Sequence, residues 1–313
     1  MKCLVSGATG FIGRQLCQQL IARGDTLVAL SHGGAELPGG ITTHAVDLAT
    51  TPVPDEYLVG VDVVYHLAGI AHHYAEPSAY QQLNHKATVN IAQQAAAAGV
   101  RSFIFLSSVK AMGPANSAAP RSESECTTPV DPYGVSKWDA ECALREQFTD
   151  SAMSLVILRP ALVYGSEAKG NLRLLARGVR WGLPAPPAQG GRSMLALPDL
   201  VALLCLLGER QEQGVSTWIA CEHQGYSTRA VYALLRRAAG KSSGSDWLPL
   251  WGWRMIAGML DLLSGQGKGS SYEKLFGTEL YSNQALTVAT GWAPEYKLEH
   301  ILLGDPAAGD KRT

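Results

Sequence analysis

Three glycines near the head of the chain constrain its fold more than any other feature. Gly7, Gly10 and Gly13 follow the apolar run Lys2-Cys3-Leu4-Val5-Ser6, and Ile12, Leu16 and Leu20 then recur at helical spacing. An apolar run that stops at a glycine reads as a buried parallel strand, and Gly24 offers the helix a stop. Each glycine of Gly7-Ala8-Thr9-Gly10-Phe11-Ile12-Gly13 has a job. Gly7 permits the sharp turn, Gly10 lets the backbone approach a pyrophosphate, and Gly13 lets helix and strand pack closely. Free N–H groups at the helix start receive the anion. A glycine triplet alone is a weak signal; set between a strand and an amphipathic helix, it predicts a dinucleotide site. Thr9, Phe11 and Ile12 join the three glycines as candidate cofactor contacts.

The strand–helix rhythm continues. A second strand over 26–30 ends at Ser31, where an NAD-specific site usually carries a carboxylate for the ribose 2′-hydroxyl. With Ser31 there and Arg14 nearby, NAD or NADP is expected, NADP slightly favoured. A third strand over 41–48 brings Asp47 and Leu48 towards the adenine. A fourth over 61–67 closes on Leu67-Ala68-Gly69, small enough for a cofactor to lie against the backbone, and its His66 reads as a packed strand residue. Residues 78–98 form a long helix in which Asn84 is either a surface amide or a polar group aimed at the floor of the site. A fifth strand, 101–106, delivers Ser107 and Ser108 at its carboxyl end, where open α/β sheets bind ligands. A sixth covers 154–163 and includes Pro160. Such alternation predicts an α/β fold: a doubly wound parallel Rossmann sheet with a smaller, interleaved substrate-binding lobe. The expected division is 1–165, with a returning segment near 190–222, and 166–313. The Trp-rich segment 247–263 is expected to bury against the second lobe or a partner subunit, with a membrane surface as the alternative.

Tyr133-Gly134-Val135-Ser136-Lys137 opens another helix and puts Tyr133 and Lys137 one turn apart on one face. A phenol beside an ammonium is a proton-transfer device. A free phenol titrates at about 10 and would have to fall by roughly three pH units to act at neutrality, a change expected from Lys137. Ser108 would polarise the substrate oxygen.

Composition excludes other classes. In 313 residues the formal net charge is −1, which gives no electrostatic reason to bind nucleic acid or an acidic membrane. Six scattered cysteines read as reduced thiols in a cytoplasmic protein. His72-His73 is the one close histidine pair, so no metal is expected. No signal peptide and no integral membrane segment are expected.

Taken together, Gly7 to Gly13, His66-Leu67-Ala68-Gly69, Ser107-Ser108, Tyr133 with Lys137, and Arg159-Pro160 resemble extended short-chain dehydrogenases/reductases of the NAD-dependent epimerase/dehydratase group. A narrower likeness, to bacterial reductases and epimerases of UDP-sugars for O-antigen, rests on four stretches. These are Ser107-Ser108-Val109-Lys110, Asp131 to Lys137, Gly170-Asn171-Leu172 to Gly182-Leu183-Pro184, and Gly291-Trp292-Ala293-Pro294. The resemblance implies Tyr133 as acid/base, Lys137 also as a ribose contact, and Ser108 as a substrate contact. It further implies Lys110, Asn171 and Arg192 as UDP-sugar contacts, and a homodimer through the two long helices. Met112-Gly113 and Tyr281-Ser282-Asn283 depart from the group, and Lys274 is the only candidate for a second phosphate contact. The expected activity is reduction of a UDP-linked 4-keto-hexosamine. The alternatives are a UDP-hexose 4-epimerase and, in another class, a non-catalytic nucleotide-sensing protein.

Overall fold

The computed structural model describes residues 1–71, 75–115, 118–165, 170–242, 244–264 and 270–304; side chains at 170–174, 263–264, 270 and 274 are not described. The first half runs β1 (Lys2–Ser6), α1 (Phe11–Ala22), β2 (Thr26–Ser31), β3 (Ala35–Leu37), β4 (Ile41–Ala45), α2 (Asp55–Leu58) and β5 (Val63–His66). Then α3 (Pro77–Tyr80) and α4 (Ala87–Ala97) flank a π-helical turn, Gln81–Lys86, followed by β6 (Ser102–Leu106), α5 (Pro132–Phe148) and β7 (Ser154–Pro160). The second half holds β8 (Leu162–Tyr164), α6 (Gly170–Trp181), β9 (Gly191–Ala196), α7 (Leu197–Glu209), β10 (Gly214–Ala220), β11 (Gly225–Tyr226) and α8 (Thr228–Ala238). It closes with α9 (Leu250–Ser264), α10 (Ser270–Phe276), β12 (Thr278–Glu279), α11 (Gln284–Thr290) and α12 (Leu298–Leu303).

Among the described residues, eight strands form one sheet in the order β10-β7-β6-β5-β1-β2-β4-β3. All neighbours are parallel except β3 and β4. The order in which strands are added reverses at β1, which lies between β2 and β5, so the ligand crevice of such a sheet opens at the carboxyl end of β1. Both faces are covered because successive strand residues serve opposite cores. Cys3, Val5 and Ile104 pack with Leu16, Leu20, Leu200 and Leu204 of α1 and α7. Leu4, Phe103 and Phe105 pack with Ile91, Ala95, Ala140 and Leu144 of α4 and α5. Fully burying one such side chain contributes about 1.5–3 kcal/mol.

The expected sixth strand divides at Ala161: β7 stays in the main sheet, while β8 pairs with β9 in a second, four-stranded sheet. β10 then returns to the first sheet beside β7. The expected third strand stops at Ala45, because Asp47 turns the chain by accepting from Ala49 N and Thr50 Oγ1. Segment 247–263 is buried on one face only. Trp253, Ala257 and Asp261 are buried, Trp253 against Phe276 of α10, whereas Trp251, Met255, Met259 and Leu262 lie on the opposite, exposed face of α9 and Trp247 is exposed ahead of it.

Candidate active site

The glycine loop is built as a cradle. Gly7 has φ +72°, and a Cβ there would meet Ala68 N at 2.8 Å. A Cβ on Gly13 would stand 2.2 Å from Gly7 O. Gly10 is the N-cap of α1 and offers no side-chain bond, so the N–H groups of the first turn point out of the helix where an anion can meet them. These features fit the pyrophosphate of a dinucleotide. Arg14, exposed, donates from Nε to Thr9 O at 2.8 Å. Asp47 is held below the usual carboxylate range by the Thr50 hydroxyl, the Ala49 N–H and His32. Leu48 packs on the core beside it.

The Ser31 side chain is buried, with Oγ 2.7 Å from Thr43 Oγ1, because the β3–β4 hairpin, which the spacing did not announce, brings Thr43 alongside. Exposed His32 follows it at that strand end.

Behind the glycine loop a polar chain fixes the floor. Ala68 N donates to Ser6 Oγ, which lies 2.7 Å from His66 Nδ1; His66 Nε2 lies 2.9 Å from Thr88 Oγ1, and that hydroxyl donates to Asn84 O. With the Thr88 proton committed to Asn84, the histidine carries its proton on Nε2 and accepts from Ser6 on Nδ1. Burial first, then Lys137, pushes His66 down to about 3, so the ring is neutral. His66 is the hydrogen-bonded strand residue the sequence indicated.

Asn84 resolves to the second of its two readings. Its amide accepts from Ile70 N at 2.8 Å and donates to Ile70 O and Ser136 Oγ, each at 3.0 Å. The loop at Gly69 is thereby tied to the first turn of α5. The π-helical turn that aims Asn84 inward leaves no mark in the spacing of its residues.

The three residues singled out for chemistry come together at the carboxyl ends of β5 and β6. Asp131 caps α5 by accepting from Gly134 N at 2.9 Å, and Pro132 takes the first helical position, which seats Tyr133 in the opening turn. The Ser108 hydroxyl stands next to the Tyr133 phenol, where it favours the ionised form, and it accepts from Lys110 N at 3.2 Å. Lys137 Nζ donates to Leu106 O at 2.9 Å and sits 4.6 Å above the Phe105 ring. A Cβ on Gly69 would approach that Nζ to 3.4 Å, so the glycine keeps the ammonium open to the crevice.

The expected acidification of the phenol by Lys137 is absent from the ligand-free chain. Burial pushes Tyr133 up to about 12 against the opposing hydrogen bond from Ser108. Burial likewise pushes Lys137 down to about 7, with Glu141 one turn further on opposing it. Desolvation dominates at both groups, and the Lys137 amine is committed to the Leu106 carbonyl and is not among the groups that act on the phenol. Tyr133 is therefore a neutral proton donor here, and Lys137 is poised near neutrality.

Sequence reasoning missed Glu141 and Arg121. Glu141 is fully buried, accepts from Ser107 Oγ at 2.6 Å and pairs with Arg159 and Arg145. It locks α5 to the ends of β6 and β7. Arg121 is buried and donates to the carbonyls of Met112, Gly113 and Glu125, shaping the loop below Ser108. Glu141 follows Lys137 by one turn and was a findable signal; Arg121 had none.

In the second lobe Arg192 and Lys110 converge as expected of a shared anion site, yet both bind Glu279, at 2.9 and 2.8 Å. Asn171 lies in the first turn of α6, and its side chain, like that of Lys274, is outside the described residues. Pro160 is buried at the end of β7. His72-His73 is also outside the described residues. Among those described, no cluster of His, Cys, Asp and Glu could hold a metal, and no helix is long and apolar enough to cross a membrane.

A family model for the NAD dependent epimerase/dehydratase family matches residues 3–182, more than half of the chain. The chain belongs to that family. This family member is an enzyme of the extended short-chain dehydrogenase/reductase type, as its motifs implied. It is 30% identical over 307 residues to UDP-glucose 4-epimerase of Vibrio cholerae, with 95% of this chain and 92% of the relative covered. It is 32% identical over 185 residues to N-acetyl-alpha-D-glucosaminyl-diphospho-ditrans,octacis-undecaprenol 4-epimerase of Escherichia coli O157:H7, covering 57% of this chain and 54% of that one. Among solved structures, UDP-glucuronic acid 4-epimerase from Bacillus cereus in complex with NAD superposes with a TM-score of 0.76 at 20% identity, covering 97% of this chain and 96% of that one. At that identity the likeness speaks for the doubly wound fold alone.

Proposed function

We propose that this enzyme interconverts the C4 epimers of a UDP-linked hexose or N-acetylhexosamine. What carries the proposal is the meeting of Ser108 and Tyr133, with Lys137 beside Gly69: together they can hold an oxygen and move its proton. The full-length likeness to a UDP-glucose 4-epimerase supports the choice of carbon and substrate. Bound in the glycine cradle, a nicotinamide dinucleotide supplies the hydride acceptor and donor. Gly7, Thr9, Gly10, Phe11, Ile12 and Gly13 would hold its pyrophosphate, Asp47 and Leu48 its adenine, and Leu67, Ala68, Gly69 and Pro160 its nicotinamide side. Tyr133 exchanges the proton of the C4 oxygen, Ser108 Oγ orients that oxygen, and Lys137 contacts the ribose. Lys110, Asn171 and Arg192 are assigned to the UDP moiety.

The slight preference for NADP rests on the absence of a carboxylate at the end of β2, where Ser31 stands, and on exposed Arg14. Parallel calorimetric titrations of NAD and NADP, with Arg14→Ala weakening only the latter, test it. A homodimer through α3–α4 and α5, and a cytoplasmic location, complete the proposal; sedimentation tests the first and cell fractionation the second.

Reduction of a 4-keto UDP-hexosamine for O-antigen precursors needs the same three residues and differs in releasing the dinucleotide each turn. Incubation with UDP-glucose or UDP-N-acetylglucosamine and a trace of NAD, followed by NMR of the sugar, separates the two. The expected result is the C4 epimer with no net change in reduced-nicotinamide absorbance. Stoichiometric loss of that absorbance with a 4-keto sugar, and no epimer, would instead establish the reductase.

A further inference from the structure

The two cations assigned to the substrate diphosphate are already engaged. Lys110 Nζ donates to Glu279 Oε1 at 2.8 Å, and Arg192 Nη1 donates to Glu279 Oε2 at 2.9 Å. One carboxylate therefore bridges an ammonium in the turn that begins at Ser108 and a guanidinium on β9. The arrangement is built into the backbone, because Glu279 is the cross-strand partner of Arg192 in the β12–β9 ladder. Arg192 Nη2 is fixed separately to Glu273 O at 3.0 Å, and its Nε is buried with no hydrogen-bond partner among the described residues. Burial would raise the Glu279 carboxyl, but Arg192 and then Lys110 overcome it and hold the group ionised.

Charge decides what this means for a ligand. Lys110 and Arg192 contribute two positive charges and Glu279 removes one. A nucleotide-sugar diphosphate brings one negative charge on each phosphate. It cannot share these donors with a carboxylate that occupies them at hydrogen-bond distance, since like charges that close repel strongly in a partly desolvated site. The ligand has to take the carboxylate's place.

The geometry points to Glu279 as a specificity-determining carboxylate: it fills the anion position between Lys110 and Arg192, so only a ligand charged enough to displace it gains both cations. This deepens, and rests on, the proposal that the second lobe takes a UDP-linked sugar. Uridine, which carries no phosphate, gains nothing from either cation. UMP has one phosphate with which to displace the carboxylate, and UDP has two. Glu279 thus lowers affinity for both nucleotides, and for UMP more than for UDP, so it widens the gap between diphosphate and monophosphate.

The test is calorimetric titration of UDP, UMP and uridine into the wild-type protein and into Glu279→Gln, Glu279→Leu and Arg192→Ala. Titration with NAD reports that each variant retains its dinucleotide half. The expected result in both Glu279 variants is UDP binding tightened about tenfold, UMP binding tightened by more than that, and uridine unchanged; an equal gain for UMP and UDP would overturn the specificity role. The leucine variant matters because it removes the charge without supplying an amide to make new bonds. If Arg192→Ala weakens UDP while both Glu279 variants leave it unchanged or weaker, the Glu279 assignment is overturned and the substrate proposal stands. If the wild-type protein binds UDP no better than uridine and Arg192→Ala changes nothing, the substrate proposal is overturned, and the Glu279 assignment with it.

Discussion

The two halves of the site are built on opposite plans. Around Tyr133 and Lys137 the polar groups are enclosed and mutually committed: Asn84 to Ile70 and Ser136, His66 to Ser6 and Thr88, Glu141 to Ser107, Arg145 and Arg159. Around Arg192 the chain's own carboxylate, Glu279, fills the place between two cations. Proton transfer tolerates little misplacement, so its groups are held before any ligand arrives. The diphosphate site proposed at Arg192 would have to discriminate, and a built-in competitor does that.

The sharpest way to break this contrast is Tyr133→Phe. Losing a positioned acid/base should cut epimerisation by about 10³-fold. NAD binding, measured by calorimetry, should be unchanged, because the glycine cradle is untouched. Activity within tenfold of wild type would remove Tyr133 from the chemistry.

Lys137 comes next. Its folded value of about 7 lies below that of the unfolded chain, so between about 7 and 10 the unfolded state holds a proton that the folded state has lost. Its contribution is therefore a penalty below pH 7 that disappears as pH rises. Relative to Lys137→Met, the wild-type protein should gain about 1.4 kcal/mol per pH unit across that window in urea unfolding. A flat difference would show that the ammonium is solvated and the enclosed half is more open than described.

Gly13→Ala probes the cradle. A methyl group 2.2 Å from Gly7 O has no room, and a loss of about 2–3 kcal/mol is expected, together with weaker NAD binding. Unaltered thermal stability would mean the loop is loose. The smallest effect belongs to Ser31→Ala, which removes only the bond to Thr43: about 1 kcal/mol of stability, with NAD affinity unchanged. A marked loss of NAD affinity would return Ser31 to the ribose.

What the sequence disclosed, and what it hid, follows the same division. Gly7, Gly10 and Gly13, or Tyr133 and Lys137, act through neighbours in the chain, so their spacing is itself the chemistry. Glu279 pairs with Arg192 and Lys110 across 87 and 169 residues, and no local pattern announces such a bond. The strand-end position of Ser31 was legible, while the β3–β4 hairpin that engages its hydroxyl was not. The expected acidity of Tyr133 fails for a related reason: Lys137 was visible in the spacing, but the burial that raises the phenol, and the Leu106 carbonyl that engages Lys137, come from the whole fold.

The return of β10 to the edge of β7 has a consequence for biosynthesis. Every residue of β7 is buried, and its outer neighbour reaches the sheet only after α6, β9 and α7 have been made. A nascent chain that has just left the ribosome through residue 182 would therefore carry the glycine loop and the tyrosine helix but leave one seam of the sheet bare, open to pairing with a stranger. Completing the nucleotide half thus waits on translation of the other.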